Sequence, residues 1–221
     1  MRIEPLGDRA VQIVLGDAPD ETTRRRIAAA AGRVRGVAGV TECVPGFTSL
    51  TVHYDPLRIA APLEFTLPAL LERLEAAGDA GRLVEIPVCY GGDFGPDLEA
   101  VAALHGLAAD EVVRLHTAAE YRVHLIGFVP GFPYLGGLDA RLHTPRLDAP
   151  RTAVPAGSVG IGGAQTGVYP IESPGGWRLI GRTPTAIFDA RRDPPALLRA
   201  GDRIRFRAVD AGSFRRLEAG G

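Results

Sequence analysis

The sequence predicts an α+β protein of two domains: a ferredoxin-like α/β sandwich over residues 1–84 and a β-rich domain over residues 85–210 that opens with two short helices. Three observations carry this. The early part of the chain alternates strand-type and helix-type runs in the order of a split βαβ unit. From Tyr121 onward turns recur every few residues and helical periodicity almost vanishes, the pattern of a barrel or sandwich. Third, 46% of the residues are apolar and 25 basic side chains balance 26 acidic ones. There is a core to bury, and no net charge that would draw nucleic acid or an anionic membrane.

Arg2 to Leu6 and Ala10 to Leu15 are short strand-type runs parted by a Gly7-Asp8 turn. Pro19 opens a helix that Asp17 or Asp20 can cap and that runs to about Val34. Its Arg24-Arg25-Arg26 triplet reads as a solvated face, since consecutive helical residues point in different directions. Val40 to Val44 and Leu50 to Tyr54 form strands around Pro45-Gly46. A helix follows from Leu63 to Ala77, ended by Gly78, and Arg82 to Cys89 is the strand that completes the order. After Gly91-Gly92, Pro96 to His105 and Ala108 to Thr117 are two helices joined at Gly106. As a helix-turn-helix they would offer DNA little besides Arg114, so they read as linker helices packed on a sheet. Ile204 and Phe206 share one face of a last strand, and residues 211–221 are expected to form a loose tail.

Several chemistries are excluded outright. The chain has no lysine, so it can carry no Walker-A lysine, no Schiff-base lysine and no lysine-linked cofactor. Cys43 and Cys89 stand far apart without a CxxC or a histidine cluster; they read as two buried thiols rather than zinc ligands, and no metal site is expected. The amino terminus reads as neither signal peptide nor anchor, no window is long and apolar enough for a membrane span, and a cytoplasmic location is expected.

The run from Val154 to Pro184 carries the chemical interest. It is too rich in Gly and Pro for a helix, yet it keeps Val159, Ile161, Val168, Ile171, Trp177, Leu179 and Ile180, so it reads as a turn-rich β scaffold that presents a site. Its glycines do not match either standard phosphate loop. Gln165 stands where a dinucleotide fingerprint needs glycine, and Val168-Tyr169-Pro170 follow Gly167 where a P-loop needs Lys-Ser or Lys-Thr. A non-standard cradle of backbone amides at Gly162 and Gly163 stays open beside plain tight turns. Gln165, Thr166 and Tyr169 offer amide, hydroxyl and phenol within five positions, and strand alternation places 178, 180 and 182 on one face. Arg146 and Arg151 each follow a proline that stiffens the backbone. Preset arginines suit a carboxylate or phosphate; surface pairs with Asp148, Glu172 and Asp189 are the alternative. Nucleophilic catalysis has little support: Ser158 lacks the GxSxG elbow, Ser173 has only Glu172 beside it, His124 reads as a packed strand residue, and His143, in the turn before TPR, is the better placed of the two histidines for a site. The candidate catalytic set is Gln165, Thr166, Tyr169 and Arg182, with Arg146, Arg151, Gly162 and Gly163 for substrate or phosphate. It is an electrostatic clamp that hints at a shared active site.

At these residues the chain resembles a known family. GFVPGFPYLGGL (Gly127 to Leu138), TPR (Thr144 to Arg146), PRTAVPAGSVGIGGAQTGVYPIESPGGW (Pro150 to Trp177) and LIGRTP (Leu179 to Pro184) look like the B subunits of 5-oxoprolinases, with GDRAVQI and SLTVHYDP extending the match through the first half. That family is also called Kip-inhibitor-like or allophanate hydrolase subunit 1, and corresponds to part of the carboxyltransferase region of urea carboxylases. Gly163 departs from the alanine expected there, and His124 stands where an apolar or aromatic residue is usual. The resemblance implies that the second domain is a cyclophilin-like β-barrel. It implies as partners the C subunit of 5-oxoprolinase (allophanate hydrolase subunit 2-like) and its A subunit. The implied activity is an ATP-hydrolysing 5-oxoprolinase, with ATP and Mg2+ bound at a site shared with a partner, that opens 5-oxo-L-proline to L-glutamate through phosphoryl activation of the lactam. A component of an allophanate hydrolase or urea carboxylase, and a Kip-type histidine-kinase inhibitor, are the alternatives.

Overall fold

Four strands and two helices build the first unit, Met1–Asp79, of a computed structural model that describes residues 1–72, 74 and 81–220. Helix α1 (Glu21–Val34) starts where Asp20 accepts the Thr23 N–H at 2.7 Å, satisfying one of the free donors of the first turn. Ile27, Ala30, Ala31 and Val34 recur at helical spacing and are buried, so that stripe faces the sheet. The arginine triplet is less solvated than expected, because Glu21 holds both Arg24, itself buried, and Arg25. Helix α2 (Leu63–Leu71) buries Leu63, Leu67 and Leu71 one turn apart; it ends at Leu71, and most of its expected continuation to Ala77, with Gly78, lies outside the described residues.

Strands β1 (Arg2–Pro5), β2 (Ala10–Val14), β3 (Val40–Pro45) and β4 (Ser49–Tyr54) pair antiparallel in the order β1-β2-β4-β3. This is the ferredoxin-like arrangement with one permutation. The edge strand beside β2, which a split βαβ order takes from after the second helix, is supplied by the amino-terminal β1. Arg82 to Cys89 is therefore not needed there, and the structure corrects that assignment. Strand β5 (Leu83–Tyr90) pairs parallel with β13 (Arg203–Ala208) and antiparallel with β12 (Arg178–Arg182). The second unit begins at Ala80, so a boundary at residue 84 falls inside β5.

The second unit is a closed barrel. Strands β6 (Glu120–Gly127), β7 (Phe132–Gly136), β9 (Ser158–Gly162) and β10 (Gln165–Val168) join the other three in the order β10-β7-β6-β13-β5-β12-β9, and β9 pairs back onto β10. Ile86, Val88, Val123, Leu135, Val159, Ile161, Val168, Ile180, Ile204 and Phe206 fill its interior. Helices α3 (Leu98–Leu104) and α4 (Ala109–Ala118) add Leu98, Val101, Val112 and Leu115 to the same core. Two further strands, β8 (Arg151–Val154) and β11 (Ser173–Gly175), form a separate ribbon. Between ribbon and barrel lies a second, smaller core of Phe132, Val154, Tyr169, Trp177 and Leu179.

The expected loose tail is instead helix α5 (Ala211–Ala219). Asp210 caps it by accepting the Ser213 N–H at 2.6 Å, and Phe214 is buried against Phe94 with ring centroids 4.7 Å apart. Cys43 and Cys89 are free and buried, and burial raises both thiol pKa values. Among the described residues no helix is long and apolar enough to cross a membrane.

One buried carboxylate ties the second unit together. Asp97, just before α3, accepts the Leu179 N–H at 2.7 Å and the Arg151 guanidinium at 2.8 Å, so it links helix, barrel wall and ribbon. Asp97→Asn keeps an acceptor for Leu179 but loses the charge opposite Arg151. Urea unfolding should show it less stable by about 1–2 kcal/mol, with the loss vanishing in an Arg151→Met background.

Candidate functional site

The two cores leave an open pocket of about 280 Å³ on the outer wall of the barrel. Aromatic side chains dominate its lining: Phe128 from the β6–β7 turn, Phe132 and Tyr134 from β7, Tyr169 just after β10, and Trp177 just before β12. Pro150, just before β8, and Pro174 and Gly175 of β11 face them, and Arg146 is the single charged side chain. The rings meet edge to face, with Phe132 5.2 Å from Tyr169 and 5.4 Å from Trp177 between centroids, near perpendicular in both cases. The Arg146 guanidinium carbon lies 5.9 Å from the Trp177 ring centroid, within cation–π range.

The glycines that suggested a phosphate cradle seat this cluster. A Cβ on Gly162 would stand 2.5 Å from the Trp177 indole nitrogen; on Gly160 it would stand 3.1 Å from the Trp177 Cβ, and on Gly167 3.0 Å from the far edge of the indole. Gly160 pairs with Gly167 across β9 and β10, so the indole lies over a patch of sheet where side chains are missing by necessity. Gly163, at φ 64°, turns the hairpin between those strands, and its N–H is spent on the Thr144 carbonyl at 2.8 Å. Neither Gly162 nor Gly163 lines the pocket.

Of the other candidates, Tyr169 and Arg146 lie in the pocket. Burial lifts the Tyr169 phenol above its usual pKa, against a hydrogen bond from the Trp177 backbone and the charges of Arg146 and Arg151. At neutral pH it is a neutral phenol rather than a base. Arg151 sits on the ribbon, paired with Asp97. Gln165 is half-buried opposite Gly162 at the hairpin end. Arg178 and Arg182 end up at opposite ends of β12, bonding the Pro145 and Ala156 carbonyls. The alternation that grouped positions 178, 180 and 182 is broken by a bulge between Leu179 and Gly181, and Ile180 points into the barrel core. Ser158 is buried, Ser173 lies on the ribbon, His143 bonds the Leu138 carbonyl at 3.3 Å, and His124 packs over Gly136.

Thr166 is fully buried and belongs to a different structure. His116 of α4, also fully buried, bonds Thr166 Oγ1 through Nε2 at 3.0 Å and the Tyr90 phenol through Nδ1 at 2.8 Å. Thr166 in turn donates to the Gly160 carbonyl at 2.9 Å. The partners fix the directions: Tyr90 donates to Nδ1, Nε2–H donates to Thr166, and Thr166 donates to Gly160, so a neutral imidazole is fully satisfied. Phe206 stacks on its face at 4.7 Å. Burial alone lowers the His116 pKa to about 3. No substrate reaches Thr166 here; the chain of polar groups locks α4 to the barrel.

Comparison with known proteins places this geometry. The family description "Carboxyltransferase domain, subdomain C and D" matches residues 1–198. The 5-oxoprolinase B subunit of Bacillus subtilis (strain 168) is 50% identical over 219 residues, covering 93% of this chain and 91% of the relative. The chain belongs to the family of 5-oxoprolinase B subunits. A second family member, from Escherichia coli O157:H7, is 48% identical over 91% of this chain and 93% of its own. Among solved structures, TTHA0988 superposes with a TM-score of 0.81 at 40% identity over 92% of this chain; the chain spans 40% of that protein's length. The urea amidolyase of K. lactis, at 24% identity and a TM-score of 0.79, shares the fold. Within this B-subunit fold, sequence reasoning missed Phe128, Phe132, Tyr134 and Trp177 as pocket walls. The available signal was GFVPGFPYLGGL, where three aromatics stand among glycines and prolines.

Proposed function

We propose that the chain is the B component of a heteromeric 5-oxoprolinase, which opens 5-oxo-L-proline to L-glutamate with hydrolysis of ATP and works with the A and C components. One observation carries this beyond the family: the pocket holds an arginine and the phenols of Tyr134 and Tyr169 but no carboxylate or histidine in its lining. It can hold a ligand and offer hydrogen bonds, but it has no group to abstract a proton at neutral pH, so the rest of the machinery must come from another chain. The 40% span within TTHA0988 is consistent with a region that works beside further protein.

The chemistry we infer begins with the lactam oxygen taking the γ-phosphoryl group of ATP, releasing ADP. Water then adds to the activated carbon, the ring C–N bond breaks with the amine taking a proton, and a second water releases phosphate. Such transfer depends on positioning and charge. This chain's part is to hold the ring, shield it from bulk water and place the Tyr169 O–H beside it. Among the described residues no group of three His, Cys, Asp or Glu could hold a metal ion. We place ATP and Mg2+ at a site shared with a partner chain, where Mg2+ needs only one or two carboxylates beside the phosphates, and a cytoplasmic location suits the ATP requirement.

The three purified components together should release glutamate from 5-oxo-L-proline only with ATP, and omitting this chain should lower the rate at least a hundredfold. A complete set of partners with no turnover of 5-oxo-L-proline, but turnover of urea or allophanate, would overturn the reading in favour of the urea-processing branch.

A further inference from the structure

We propose that the aromatic pocket is the lactam-binding site, that Arg146 grips the substrate carboxylate, and that Phe128 is the specificity-determining clamp over the ring. The proposal rests on the 5-oxoprolinase reading and adds to it the location and the residues.

Phe128 is the one non-glycine residue with a positive φ, at 63°, among those described. A bulky residue in that region is strained, and such strain persists where the surroundings over-determine it, often at ligand clamps. Here the turn Gly127 to Gly131 holds the Phe128 ring edge-on to Phe132 at 5.5 Å and to Tyr169 at 6.4 Å, while leaving it 59% exposed. The ring's exposed part, kept in water at the pocket mouth by a strained backbone, is covered when a ligand occupies the pocket.

The charge pattern selects the occupant. Arg146 is exposed at the rim, and no carboxylate lines the pocket. At about 280 Å³ the space falls just below the roughly 300–1,000 Å³ usual for ligand pockets, which suits a small ligand. A small ring with one carboxylate and one amide fits all of this. Its carboxylate suits the fork of Arg146, its methylene face suits Phe128 and Tyr134, and its amide can meet the Tyr169 phenol.

Trp177 is the sole tryptophan of the chain, so its emission reports on the pocket directly. Titrating the full chain with 5-oxo-L-proline should give a saturable change, at least tenfold weaker for 2-pyrrolidinone, which lacks the carboxylate, and for L-proline, which lacks the lactam carbonyl. Arg146→Gln should raise Kd at least tenfold and Phe128→Ala several-fold; both side chains are exposed, so folding is spared. If the emission is silent in the isolated chain, a tenfold rise in KM for 5-oxo-L-proline in the Arg146→Gln complex, at unchanged kcat, supports a site completed by the partner. An emission change indifferent to Arg146, or a complex that releases glutamate with normal KM in both variants, overturns the assignment while leaving the 5-oxoprolinase reading intact. Absence of any 5-oxoproline turnover with wild-type protein, by contrast, removes that reading itself.

Discussion

Gly162→Ala is expected to lower the stability of the barrel by about 3 kcal/mol and to move Trp177 emission to the red. The added methyl would stand 2.5 Å from the indole nitrogen, in a place where the ring already rests on sheet and cannot retreat without losing its contacts with Phe132 and Tyr134. Overfilling a packed site costs about 1–3 kcal/mol, and a rigid double ring puts this case at the upper end. Denaturant unfolding followed by circular dichroism measures it. Adding Trp177→Phe in the same chain should return part of the loss, because the smaller ring vacates the collision. A glycine that served a phosphate instead would behave otherwise: alanine would spare stability and emission and change only the ATP-dependent rate.

The second large effect is acid sensitivity through His116. Its pKa is about 3 in the folded barrel, against about 6.5 when unfolded, and burial is the cause. The folded value is the lower one, so unfolding takes up a proton between the two. The neutral ring's contribution is therefore complete above about pH 6.5 and is lost as pH falls toward 3. The slope approaches about 1.4 kcal/mol per pH unit and the total roughly 4–5 kcal/mol. Other carboxylates also respond in this range, so the comparison is between wild type and His116→Gln, whose curve should be flatter by that slope. Should the variant not fold, the imidazole resonances of the wild type decide the matter. His116 should show no titration between pH 5 and 8, while a normal midpoint near 6.5 would contradict a buried, neutral ring.

Much of this fold is legible in the residues. The apolar stripe of Ile27, Ala30, Ala31 and Val34 marks α1, and turn signals mark nearly every strand. The permutation is not legible, because β1 and β5 are equally good strands and only long-range pairing decides which one borders β2. The terminal helix leaves little trace in sequence because a single anchor, Phe214, and one cap, Asp210, hold it. At the site, closeness in sequence misleads. The hairpin of β9 and β10 sends Thr166 into the barrel and leaves Tyr169 on the outer wall, three positions later. The glycines draw attention to the right segment for another reason: they are spaces cut for Trp177. Phe128 stays hidden because a strained φ leaves no mark in composition.

The glycine-rich run from Val154 to Pro184, which matches neither standard phosphate loop, supplies Tyr169 and Trp177 to the proposed lactam pocket. Steady-state kinetics of the three-component complex carrying Arg146→Gln, with 5-oxo-L-proline and ATP varied in turn, tests this most directly. The expected result is a KM for 5-oxo-L-proline at least tenfold higher and a KM for ATP unchanged. A raised KM for ATP with the lactam's KM unmoved would contradict it and assign Arg146 to the phosphates instead.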